Sequence, residues 1–128
     1  MFLLIDMSEL DQIHLALFDS EKRFDKTFEG RNRELLASID TLTKNHGAWS
    51  MEQLEGVMVV VGAGSFTSTR IACVVANTFA YAKQISLLAI SVDQVDQVQD
   101  LIPELLKQPK GQYISATYSA EPNIGKKK

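Results

Sequence analysis

Residues 57–71 constrain this chain more than any other stretch. Val57 to Val61 is an apolar, mostly β-branched run that stops at Gly62-Ala63-Gly64. Apolar runs without alternation suit strands covered on both faces of a sheet, so this one reads as a buried strand. The two glycines permit a sharp turn that a side chain would forbid. Ser65 and Thr67 follow as helix-start residues, and Ile71 to Ala82 then carries only Asn77 and Thr78 as clearly polar positions. A surface helix shows one apolar stripe and one polar face. Here Ile71, Val74, Val75, Phe79 and Ala82 make one stripe, while Ala72, Cys73, Ala76, Ala80 and Tyr81 fill much of the remaining circumference. A small domain does not bury a helix on all sides, so the second apolar side implies a protein partner.

The chain has 128 residues, one domain's worth, with 45% hydrophobic and 23% charged residues. Its formal net charge of −3 argues against a nucleic-acid binder working by itself. The one basic cluster, Lys126-Lys127-Lys128, reads as a solvated tail. The single cysteine, Cys73, excludes an internal disulfide and reads as a small packed hydrophobe. A reducing, cytoplasmic setting fits. Phe2 to Ile5 is too short for a signal peptide or a membrane span.

Period and turn signals give the element order. Phe2 to Ile5 reads as a short buried strand. Ile13 to Phe18 alternates, with Ile13, Leu15 and Leu17 on one face and His14, Ala16 and Phe18 on the other. Asp19 to Lys22 reads as a hairpin turn, and Arg23 to Glu29 as a third strand anchored by Phe24 and Phe28. Leu35, Leu36, Ile39 and Leu42 predict a helix over Asn32 to Asn45, with Gly47 as its stop. Ser50 and Gln53 form a capping-box pattern for a short helix to about Leu54. The strand at 57–61, the glycine loop and the apolar helix follow, then a fifth strand over Ile85 to Ile90. Ser91 caps a helix from Val92 to about Lys107 that Pro103 ends or kinks near Leu101 or Ile102. Gln112 to Tyr118 is a candidate last strand. The order βββαβαβ implies an α/β fold with a mixed five-strand sheet flanked by helices.

The candidate chemistry is thin. Ser65 sits between strand and helix like a nucleophile, but the glycine expected two residues later is absent and no downstream histidine pairs with it. Its default role is a helix cap. One cysteine and two separated histidines, His14 and His46, make no zinc set. The Gly62-Gly64 loop before a helix is a possible phosphate cradle, yet it lacks the lysine of a P-loop. Arg70 reads as structural, reaching a carboxylate or loop carbonyls, with Asp6 a candidate if the first and fourth strands are neighbours.

Gly62-Ala63-Gly64-Ser65-Phe66-Thr67-Ser68-Thr69-Arg70-Ile71 resembles the signature of the TsaB (YeaZ) family, usually Gly-Pro-Gly-Ser-Phe-Thr-Gly-Leu-Arg-Ile. Leu3 to Asp6 resembles its first strand, Glu34 to Asp40 its first long helix, and Leu87 to Ser91 a later strand, so the resemblance spans roughly residues 2–95. It implies an actin-like (ASKHA) half-domain. It also implies a non-catalytic partner of a TsaD-like enzyme which, with a TsaE-like ATPase, supports formation of threonylcarbamoyladenosine beside the anticodon of tRNA. The tRNA itself is then met only indirectly, and no membrane, cofactor or metal is involved. Small residues replace the family's at Ala63, Ser68, Thr69 and Ala72. Met7 stands for a threonine, and no glycine follows Asp6, which speaks against nucleotide binding by the chain alone. The family has two related half-domains, and this chain has room for the first. Residues 118–126 resemble the family's tail, so the expectation is a domain over 1–119 joined to a tail over 120–128.

In the family, pairing runs through the two helices matching 32–45 and 67–83. The implied interface is Leu35, Leu36, Ile39 and Leu42 on the first, with Cys73, Ala76, Asn77, Ala80 and Tyr81 on the second. The implied motif residues are Gly62, Gly64, Ser65, Phe66, Thr67 and Arg70. A charge at Ala76 or Ala80 is then expected to abolish pairing and leave the fold intact. Two rival readings stay open: a nucleotide- or phosphate-binding enzyme module using the glycine loop, and a self-associating module, such as a homodimer, without TsaD.

Overall fold

A computed structural model of the chain describes residues 1–30, 32–45 and 50–111. The chain opens with three strands, β1 (Phe2–Asp6), β2 (Gln12–Phe18) and β3 (Arg23–Glu29). The turn between β2 and β3 closes on Asp19, whose N–H donates to the Lys22 carbonyl at 2.9 Å. The Asp19 carboxylate accepts the N–H groups of Glu21 and Lys22 at 2.8 and 2.7 Å. An aspartate that satisfies two backbone donors in this way fixes the hairpin register: Phe18 pairs with Arg23, and His14 with Thr27.

Helix α1 (Leu35–Asn45) follows a 3₁₀ turn at Asn32–Glu34, and a second 3₁₀ turn occupies Met51–Gln53. The Ser50 N–H donates to Gln53 Oε1 at 2.8 Å, half of the predicted capping box. Strand β4 (Gly56–Val60), helix α2 (Phe66–Lys83) and strand β5 (Ser86–Ile90) complete the sheet, whose order is β3-β2-β1-β4-β5. β1 pairs β2 antiparallel, and β4 runs parallel to both β1 and β5. The mixed five-strand sheet and the element order match the sequence reading.

Both faces of the sheet are covered. Leu3, Ile5, Ile13, Leu15, Leu17, Val57, Val59 and Leu87 pack with α1 and α2 on one face. Phe2, Leu4, Ala16, Phe18, Met58, Val60 and Ile90 pack on the other with Val95, Val98, Ile102 and Leu105. Phe2 and Phe18 meet there with ring centroids 5.7 Å apart. β1 and β4 are central strands buried along their whole length, which is why their sequences do not alternate.

Three expectations are corrected. The helix read over 92–107 is a 3₁₀ segment (Val92–Leu101) broken at Gln97, where φ is −115°, followed by the short helix α3 (Ile102–Leu106). The break expected near Leu101 or Ile102 does fall there, and Pro103 lies in the first turn of α3, where its missing N–H costs nothing. Phe24, read as an anchor, is substantially exposed on the edge strand, whereas Phe28 packs against the core. The stripe read on α2 is divided: Ile71, Val75 and Phe79 pack against the core, but Val74 and Ala82 do not. The sheet-facing side of the helix is Ala72, Cys73, Val75, Ala76 and Ala80, and Val74 and Ala82 point outward. The alanines at the centre of this contact let the helix lie close to the sheet. The strand expected over 112–118, the tail over 120–128 and the stop at Gly47 lie outside the described residues.

Candidate functional site

The signature segment occupies the end of the sheet where β1 and β4 both finish. Gly62 and Gly64 adopt positive φ, +79° and +84°, the left-handed region that favours glycine. At Gly64 there is a second constraint, because a Cβ would lie 2.9 Å from both the Met7 carbonyl oxygen and Ser8 Cα. The glycine loop therefore rests directly on the turn after β1. Thr69 Oγ1 donates to the Ala63 carbonyl at 3.1 Å and ties the loop to the first turn of α2. Ser65 caps that helix: its hydroxyl accepts the Ser68 N–H at 3.0 Å. Replacing Ser65 with alanine is expected to cost about 1 kcal/mol of stability, read as a lower midpoint in urea at an unchanged m-value.

The turn after β1 and the start of α2 enclose a cleft of about 330 Å³. Glu9 and Asp11 line it, and Glu29, Glu34 and Arg33 line the opening beside it. The lining is acidic on balance, so this mouth repels a phosphate despite the helix N-terminus nearby. Leu10, 84% exposed, stands at the rim. Thr67 and Arg70 are exposed on the first turns of α2. β1 and β4 are neighbours, as an Arg70–Asp6 contact would require; the Asp6 carboxylate engages Ser8 and His14. Ser65 acts as a cap, and His14 has both ring nitrogens against carboxylates, so the two do not form a nucleophile and base. Among the described residues no group of three or more His, Cys, Asp or Glu side chains is placed to hold a metal ion. No helix among them is long and apolar enough to cross a membrane.

A polar network that sequence reading missed crosses the three N-terminal strands. Ser8 Oγ donates to Asp6 Oδ1 at 2.6 Å. His14 Nδ1 lies 3.2 Å from Asp6 Oδ2, and His14 Nε2 lies 2.7 Å from Asp25 Oδ2. Arg23 grips Asp25 with Nε and Nη2 at 2.7 and 2.8 Å, and its Nη1 donates to the Val95 carbonyl at 2.8 Å. Burial acts to raise the Asp6 carboxyl, but hydrogen bonds from His14 and Ser8 outweigh it and hold the group below its ordinary value. Burial is likewise outweighed at Asp25, by Arg23 and His14. The bond to Asp6, helped by Asp25, raises His14 against the effect of its burial. The signal was present in the sequence: the turn at Asp19–Lys22 sets the register, which brings Asp25 diagonally opposite His14 on one face.

The implied interface residues divide sharply. Leu35, Ile39 and Leu42 of α1, and Cys73, Ala76 and Ala80 of α2, are buried in the chain's own core. Within this chain their side chains face the sheet rather than the outer surface. Burial pushes the Cys73 thiol up, which keeps it protonated and unreactive. Leu36 is 59% exposed, Tyr81 73% and Val74 58%, while Asn77 is half-buried. The Thr78 hydroxyl donates to the Val74 carbonyl at 2.8 Å, so this outward face offers less free polarity than its sequence suggests.

The structure is similar to that of YeaZ from Pseudomonas aeruginosa, with a TM-score of 0.63 and 25% sequence identity over 70% of this chain and 44% of that one. A second structure, an uncharacterized protein with similarity to peptidase YEAZ from Pseudomonas aeruginosa, aligns with the same TM-score and identity, over 70% of this chain and 42% of its own. The chain thus spans less than half the length of either. No protein-family model matches it, and no curated protein matches it. The resemblance read from the signature is met in the fold: the chain is similar to TsaB (YeaZ) structures.

Proposed function

We propose that the chain is a non-catalytic partner subunit that docks a TsaD-like protein in threonylcarbamoyladenosine formation on tRNA, with a TsaE-like ATPase in the same assembly. The observation that carries this reading is the outward face of α2. Val74, Thr78 and Tyr81 recur at helical spacing on one exposed stripe. Leu36 of α1 is exposed beyond the same face of the sheet. An exposed aromatic with neighbouring aliphatics is the composition of an interface anchor. Likeness in fold to YeaZ supports the choice of partner. The acidic cleft speaks against the rival phosphate-binding module.

The test is the size of the complex by light scattering, for the chain alone and mixed with a TsaD-like subunit. A one-to-one complex is expected, and Val74→Glu is expected to weaken it at least about tenfold. Because Val74 is exposed, its own stability should stay within about 0.5 kcal/mol of the parent. A Val74→Glu chain that binds the TsaD-like subunit as well as the parent refutes the docking face. A homodimer insensitive to added TsaD-like protein favours self-association instead. Tight ATP binding by the isolated chain favours the nucleotide module.

A further inference from the structure

We infer that His14 is a pH-sensitive latch: protonated, it joins two carboxylates across the sheet, and on losing its proton it loosens edge strand β3 and the turn that walls the cleft. The geometry carries this. Each ring nitrogen of His14 lies within hydrogen-bond distance of a different carboxylate, Asp6 on β1 and Asp25 on β3. A carboxylate at neutral pH only accepts, and a neutral imidazole carries one N–H. Both contacts are satisfied together only when the ring is an imidazolium. In the neutral ring one nitrogen lone pair faces a carboxylate oxygen, at 2.7 or 3.2 Å.

Few other charges compensate. From β1 the ring meets Asp6, and the following turn contributes Ser8, bonded to that same carboxylate. From β3 it meets Asp25, which Arg23 grips from beyond. From the 3₁₀ segment, Asp96 acts on Arg23 and Val95 supplies a carbonyl. Losing the imidazolium proton therefore leaves two carboxylates and one guanidinium around a half-buried ring. β3 is an edge strand with most side chains exposed; besides its ladder to β2 it is held by Phe28 against the core and by the Arg23 bond to the Val95 carbonyl, so the His14–Asp25 contact is one of few side-chain ties on it. The turn after β1 carries Met7 and Ser8, on which Gly64 rests. Loosening Asp6 and Ser8 thus reaches the glycine loop.

The sign follows from linkage. The folded-state value of His14 is raised by its partners. Its stabilising contribution is complete below the unfolded value of about 6.5 and is lost as pH rises through the folded value.

Hydrogen exchange of the intact chain, corrected for intrinsic rates, tests the latch. Protection of the Arg23–Glu29 amides is expected to fall severalfold between about pH 6 and pH 9. Protection of β5 amides at the far edge should stay constant. His14→Gln should abolish the pH dependence. Should that variant fail to fold, Asp25→Asn, at a more exposed position, should shrink the dependence and lower the titration point of His14 in NMR. Wild-type β3 protection that is the same at both pH values overturns the proposal. So does a full wild-type dependence in either variant, or an equal loss at β5.

Discussion

Ala76→Asp is expected to yield no stably folded chain. Ala76 is fully buried where α2 lies on the sheet. An aspartate there has two options, both poor. If it stays ionised, a charge sits in the interior with no partner. If it protonates, holding a carboxyl of ordinary value about 3.9 neutral at pH 7 costs about 4 kcal/mol, at 1.36 kcal/mol per unit. Overpacking adds about 1–3 kcal/mol, because alanine is what lets the helix approach. The total of roughly 5–7 kcal/mol is comparable with the whole stability of an ordinary domain, about 5–15 kcal/mol. Circular dichroism melting should show a lost or strongly lowered cooperative transition, beside a nearly unchanged one for Val74→Glu. An Ala76→Asp chain that melts within a few degrees of the parent would mean that α2 does not pack as described. Lost partner binding in this variant says nothing about docking, since Ala76 is fully buried and its replacement bears on the fold first.

The burial of Ala76 shows how far the sequence could be read. Strand and helix order was legible because period and turn chemistry are local: Asp19 closes its own hairpin and Ser65 caps its own helix. The two-faced burial of β4 was legible from an apolar run that does not alternate. Which side of α2 meets the sheet was not. Hydrophobicity ranks Val74 above Ala76 and Ala80, yet the alanines face the sheet and Val74 does not. The polarity of Thr78 was equally misleading, because its hydroxyl is spent on its own helix. The His14 network needed a register as well as a pattern, since Asp6, His14 and Asp25 come from three strands. Pro103 was placed correctly as a break, but its role depends on the preceding segment being 3₁₀.

Gly64→Ala should be far more damaging than Gly62→Ala, although the two glycines read alike in sequence. Both adopt positive φ, so alanine at either pays the left-handed penalty of roughly 1–2 kcal/mol. At Gly62 nothing lies within 4 Å of the added Cβ, and the cost ends there. At Gly64 the Cβ meets the Met7 carbonyl oxygen and Ser8 Cα at 2.9 Å, both of them backbone. A flexible side chain could swing aside, but here the turn after β1 must move as a whole. Overpacking of this kind adds about 1–3 kcal/mol, and it pulls on Ser8 and hence on Asp6 and His14. Urea unfolding should place Gly62→Ala about 1–2 kcal/mol below the parent and Gly64→Ala about 2–5 kcal/mol below it. The His14 resonances should shift in Gly64→Ala and remain in place in Gly62→Ala. Equal losses in the two variants would show that the loop does not rest on that turn, and with it the link between the signature segment and the cleft would fail.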